Sequence, residues 1–442
     1  MENGMSDGNR VLIISHDIVG RYMAGPGIRY YHMAQVLSAD NQVTLAAPAP
    51  IQFQEQPRFN LLSYTTPAAD DLSRAIDQAD VIVVPAIWVA KIPRLQTTET
   101  PLVVDAYDPF VVETLARGIA DVSALQQALA VAYIRGDFFI CASERQRDWF
   151  LGILETFGRV NSQNFTADST LRQLIDIAPY GLSAQPPQHT KQVIKGVWEN
   201  ISTDDDVILW GGGLWKWLDP LTAIKAVNKL WQERQNVRLV FPGTKHPNKN
   251  IPEILTHNTA AKQLAHDLDL LDKAVFFGEW IPYEDWGNVL LESDVALSLH
   301  FDSIETHLAY RSRILEYIAA DLPTITTCGA VTSNLIEQHE LGYVVDYRDV
   351  QGVANALRTA LDERPFRHEK FRLLQKTLLW EQTLQPLINF CKDPCSAPDR
   401  TNHTAIGSAF YLSQIAQLQN CIQGYERGKF IRFMRWLKKI GR

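Results

Sequence analysis

The chain has 442 residues, too many for one ordinary domain, so two are expected. Apolar residues make up 46% and charged residues 21%, the balance of a soluble globular protein. A net charge of −8 argues against a general nucleic-acid binder.

The first half alternates apolar runs with amphipathic stretches. Val11-Leu12-Ile13-Ile14-Ser15 predicts a short buried strand, and residues 28–37 predict the helix after it. Further strands are predicted at 43–47, 81–84, 102–104 and 138–142. Near-continuous apolar strands separated by helices indicate a parallel sheet covered on both faces. The polar stretch around Pro186-Pro187 then reads as a linker.

A second series follows, with strands at 207–210, 237–241, 275–277, 295–299, 324–327 and 343–345 and helices at 221–234 and 286–292. The expected fold is therefore α/β, two facing doubly wound Rossmann-like domains with a cleft between them as the default ligand site. The expected boundaries are 1–185, a linker at 186–195, and 196–365.

Each half places glycines after its first strand: Gly25-Pro26-Gly27-Ile28-Arg29 in one, Gly211-Gly212-Gly213 in the other. Glycines let a backbone approach anionic oxygens closely, although a tight strand-to-helix turn explains either cluster alone. Neither is a Gly-x-Gly-x-x-Gly fingerprint or a P-loop, so hydride transfer and ATP hydrolysis fall away.

The segment 311–329 carries the strongest functional signal. A strand ends in a polar loop with Asp302, Glu305 and His307; Arg311 and Arg313 then open a helix that holds Glu316. Two guanidiniums and a carboxylate suit a ligand with both phosphates and sugar hydroxyls, while a solvated helix face shows the same offsets. Trp215 and Trp217 flank the second glycine cluster as candidate stacking partners, and His300 and His307 are candidate donor contacts.

Five cysteines have no framework spacing, and Cys391 and Cys395 lack a second pair, so they read as plain thiols in a reducing compartment. No basic stretch followed by an apolar run opens the chain, and no apolar run reaches the roughly 18 residues a bilayer demands. A cytoplasmic location is expected. Residues 425–442 hold seven Lys/Arg against Glu426, with Phe430, Phe433, Met434 and Leu437 on one helical face. Such a segment either lies on an anionic membrane at the inner face of the cell or docks its apolar face on the protein itself.

Ala24-Gly25-Pro26-Gly27-Ile28-Arg29, Pro179-Tyr180-Gly181, Trp210-Gly211-Gly212-Gly213 and the run from Leu315-Glu316-Tyr317 to Pro323 together resemble the family 4 glycosyltransferases of the GT-B fold, over roughly residues 10–390. That resemblance implies a retaining, metal-independent transfer of a sugar from a nucleotide-sugar donor to a glycan or lipid-linked acceptor, with no cofactor and no nucleic acid. It places the donor mainly on the C-terminal domain, and helices from about residue 366 are expected to return to the N-terminal domain. Two rival readings of the same fold are a silent scaffold, and a cyclitol-coupling enzyme or epimerase.

The resemblance gives Glu316 the donor ribose, and Gly25, Gly27, Gly212 and Gly213 the neighbourhood of the phosphates. Asp108, after the strand at 102–104, takes the place of a polar group beneath the reacting sugar. Two family features are missing. The first acid of Glu-x7-Glu falls on Leu308, with Glu305 the nearest substitute, and the Gly-Arg and Lys that grip the diphosphate fall on Gly212 and Leu218. At least two of Lys216, Lys245, Arg311 and Arg313 are expected to point inward instead.

Overall fold

A computed structural model describes residues 8–53, 56–245, 257–364, 368–400, 417–419 and 421. The first sheet has seven strands in the order β3-β2-β1-β4-β5-β6-β7. These are β1 (Arg10–Ile14), β2 (Gln42–Pro48), β3 (Asn60–Tyr64), β4 (Val81–Pro85), β5 (Leu102–Asp105), β6 (Phe138–Cys141) and β7 (Ile175–Ile177). The second has six, in the order β10-β9-β8-β11-β12-β13. Its members are β8 (Asp206–Leu209), β9 (Val237–Phe241), β10 (Val275–Phe277), β11 (Val295–Ser298), β12 (Thr324–Thr327) and β13 (Gly342–Val345).

Every pairing in both sheets is parallel, with registers such as Val11↔Val43, Ile13↔Val83 and Leu297↔Ile325. β4 is buried along its whole length because helices cover both faces of the sheet, which is why its sequence is an unbroken apolar run. Strand order reverses between β1 and β4 and again between β8 and β11. Loops leaving the carboxyl ends of those strands splay apart and leave a crevice, and the crevices of the two sheets face each other.

Two strands, β3 and β7, have no counterpart in the sequence expectation. β3 is an edge strand with Asn60 and Ser63 exposed, and β7 is only Ile-Asp-Ile, so neither carries an apolar run. The first helix begins at Gly25 rather than Ile28, because Pro26 suits the first turn. The loop expected around Asp302, Glu305 and His307 contains a short helix, Ile304–Leu308, capped by Ser303, whose hydroxyl accepts from the Thr306 N–H.

Residues 183–205 hold neither helix nor strand. The segment is tied to the second domain by Glu292, whose carboxylate accepts from the N–H groups of Val193, Ile194 and Lys195 at 2.7–2.9 Å. After the helix His368–Thr377, which packs on the helix Ser312–Ala319, the chain crosses back. Trp380 stacks on His32 at 5.1 Å, Phe390 stacks on Phe138 at 4.9 Å, and Asp399 forms a buried bidentate pair with Arg159. Residues 380–400 thus pack on the first sheet's domain. The basic segment 425–442 lies outside the described residues.

Candidate functional site

A cavity of about 480 Å³ runs between the two domains, lined by the loops that leave both switch points. On the C-terminal side the loop Gly211-Gly212-Gly213 leaves β8 and is held from below by the helix Ser312–Ala319. The Tyr317 hydroxyl accepts from the Gly211 N–H at 2.7 Å, and Arg313 Nη2 donates to the Gly213 carbonyl at 3.3 Å. Gly212 sits at φ +81°, which a side chain disfavours, and the space a Cβ would occupy lies 3.5 Å from Arg313 Nη2. The turn therefore brings bare backbone beside a guanidinium.

Two helix starts converge here. A Cβ at Gly25 would lie 3.5 Å from Ser312 Oγ, so the first turn of Gly25–Leu37 faces the first turn of Ser312–Ala319 across the cleft. Unpaired N–H groups at such ends favour anions. The position of the first is fixed by a fully buried pair: Arg29 Nε and Nη2 donate to the two Asp105 oxygens at 2.8 and 3.0 Å, and Nη2 also donates to the Ala178 carbonyl.

Glu316 stands between the domains. Its carboxylate accepts from Trp286 Nε1 at 3.0 Å and from the Tyr180 hydroxyl at 3.2 Å, and burial pushes its pKa up to about 7 against those bonds. Opposite it, the N-terminal wall carries His16, Asp108, Glu113 and Arg117. Burial raises Glu113 to about 7, although Arg117 at 3.5 Å pulls the other way. Burial and then the Glu113 charge hold Asp108 well above the carboxylate range. Arg117 also lies over the stacked indoles of Trp215 and Trp217, 5.0 and 5.3 Å from their centres, and so joins the two walls.

Residues 198–371 match the family model described as "Glycosyl transferases group 1". The chain has the GT-B fold. Solved structures agree on the fold. Anabaena Alr3699/HepE, solved in complex with UDP and glucose, has a TM-score of 0.62 at 13% identity over 86% of this chain and 99% of that one. Sucrose-phosphate synthase from Thermosynechococcus elongatus has 0.59 at 13% over 86% and 98%. WaaG, a glycosyltransferase of lipopolysaccharide biosynthesis, has 0.54 at 16% over 87% and 100%. No curated protein matches the chain by sequence.

Of the residues singled out in the sequence, Gly25, Asp108, Gly212, Gly213, Glu305, Arg311, Arg313 and Glu316 line the cleft together. Four placements differ from expectation. Lys245 is 66% exposed beside Glu279, at 3.8 Å, and Lys216 lies with its ammonium against Gly118; neither lines the cleft. Gly27 is a packing glycine, since a Cβ there would come within 2.2 Å of the Ile18 carbonyl. Glu305 and Arg311, expected to act separately, are a buried bidentate pair at 2.8 and 2.7 Å.

The histidines divide the same way. His300 is buried, with Nε2 3.0 Å from the Cys328 carbonyl, and burial lowers it to about 3; His307 is exposed. Trp210 is wholly buried, whereas Trp215 and Trp217 line the cleft. His16, Glu113, Arg117 and Gln146 were not picked out from sequence. His16 alone had a usable signal: it lies two residues beyond the end of the strand that borders the first switch point.

Proposed function

We propose that this protein is a glycosyltransferase that holds a nucleotide-sugar donor on its C-terminal wall and passes the sugar to a hydroxyl presented by its N-terminal wall, with retention and without a metal. The observation that carries the reading is a set of left-over polar atoms, three of them guanidinium donors. Among the described residues, His16 Nδ1, Arg117 Nε, Arg311 Nε and Arg313 Nη1 are buried in the cleft lining without a hydrogen-bond partner. A buried polar group left unpaired costs about 1–3 kcal/mol, so four together favour a ligand rich in oxygen acceptors. A sugar diphosphate has that chemistry.

In this reading Arg313, the glycine loop and the start of the helix Ser312–Ala319 receive the diphosphate, and Glu316 accepts from ribose hydroxyls. Developing negative charge on the leaving phosphate is met by groups already fixed in place, so little reorganisation accompanies the transfer. Asp108 and Glu113, both raised by burial, orient the acceptor hydroxyl, and proximity of the two walls supplies the rest.

Calorimetric titration with UDP, GDP, ADP and dTDP is the first test. Selective binding of one, lost in Glu316→Ala, is the expected result; no binding of any would favour a silent scaffold. The anomeric configuration of the product, and activity in excess EDTA, test retention and metal independence.

A further inference from the structure

Gln146 sits three residues into the sequence Ser143-Glu144-Arg145-Gln146, which has the capping-box pattern at the start of the helix Glu144–Thr156. Its backbone obeys that pattern, since its N–H reaches Ser143 Oγ at 3.2 Å. Its side chain does something else. Oε1 accepts from the Ala142 N–H at 2.7 Å, and Nε2 donates to two carbonyls, Tyr107 at 2.7 Å and Leu308 at 2.9 Å. Gln146 is 1% exposed, so bulk solvent has little access to these bonds.

The two carbonyls belong to opposite domains. Tyr107 precedes Asp108 in the loop leaving β5, and Leu308 ends the short helix whose Glu305 grips Arg311. The neighbouring Arg145 reaches the same way, donating to the Gly329 carbonyl at 2.6 Å. We propose that Gln146 is a positioning residue for glycosyl transfer: its amide helps set the spacing between the acceptor loop at Asp108 and the donor-side helix Ile304–Leu308. Resting on the reading that donor and acceptor occupy opposite walls, this makes Gln146 matter for transfer and not for donor capture. An amide bridging two carbonyls also has a direction that a carboxylate cannot reproduce, because a carboxylate only accepts.

The test uses Gln146→Ala and Gln146→Glu in the full chain. The second keeps an oxygen for the Ala142 N–H and loses the donors. Both should bind the nucleoside diphosphate within about twofold of wild type, while kcat for transfer falls about tenfold or more, the size expected when a hydrogen-bonded register is lost. Small-angle scattering should show a larger radius of gyration for both variants. Wild-type kcat in Gln146→Glu would overturn the proposal, because the Ala142 contact alone would then suffice. Unchanged radii in both variants would overturn it too. Absence of nucleotide binding in wild type would count against the donor reading, and the scattering comparison would still judge Gln146.

Discussion

Arg311 closes on Glu305 with both terminal nitrogens, at 2.8 and 2.7 Å, and the two side chains are 8% and 1% exposed. From sequence, Glu305 is expected to stand in for the missing first glutamate, and Arg311 is one of four candidate cations for the diphosphate. Leu308, at the first position of the Glu-x7-Glu spacing, is buried instead, and the nearby acid is spent on the arginine.

Removing Glu305 therefore strands a buried guanidinium. Glu305→Ala should lose about 3–5 kcal/mol of stability, the range for breaking a buried ion pair from one side. Adding Arg311→Met should restore part of that loss, because the stranded charge is gone. Urea denaturation of the three proteins checks this; an effect of Glu305→Ala below about 1 kcal/mol would mean the pair is not formed.

Glu316 provides a pH signature. Its folded pKa, about 7, lies above its ordinary value of 4.5. A raised carboxyl pKa means the folded state binds more protons, so the stabilising contribution is full below about pH 4.5 and is lost as pH rises through 7. The size is on the order of 3 kcal/mol. Glu316→Gln should flatten the stability slope between those values. Nucleotide binding should run the other way in wild type, tightening as pH rises from 5.5 to 8, because the carboxylate accepts from ribose hydroxyls better than the acid does. A pH-independent Kd would remove Glu316 from the ribose.

The two sheets were legible because a parallel strand buried on both faces reads as a solid apolar run, as at Val81-Ile82-Val83-Val84. Edge strands are not constrained that way, and Asn60–Tyr64 shows it. Within the site, glycines and charges near strand ends were visible, but partnership was not. Nothing in the spacing of Glu305 and Arg311 says that they bind each other. Nor does it tell Lys245, beside Glu279 on the surface, from Arg313 beneath the glycine loop. Gln146 is the extreme case, since its role exists only once residues 162 positions apart have met.

Arg313 and Lys245 give a contrast that separates the cleft from the surface. Arg313→Ala should weaken nucleoside diphosphate binding about 10- to 100-fold and binding of the bare nucleoside much less, since charge-assisted bonds to phosphate are lost. Lys245→Ala should change neither by more than about twofold, as an exposed, loosely paired ammonium contributes little. Titration of both variants with UDP and uridine, or with the nucleotide the wild type prefers, decides the matter. Equal losses for nucleotide and nucleoside in Arg313→Ala would take that arginine off the phosphates.

The basic segment 425–442 poses a choice between two surfaces. Seven cations each worth about 1 kcal/mol near an anionic bilayer would bind it strongly at low salt and release it at high salt. Full-length protein should then sediment with phosphatidylserine vesicles, and a chain ending at residue 424 should stay in solution with an unchanged melting temperature. If the apolar face of the segment packs on the protein instead, the truncated chain melts lower and vesicle binding does not depend on the segment. Salt separates the cases further: electrostatic attachment weakens steeply between 0.05 and 0.5 M, on the order of a Debye length shrinking by threefold, whereas an apolar contact within the protein does not.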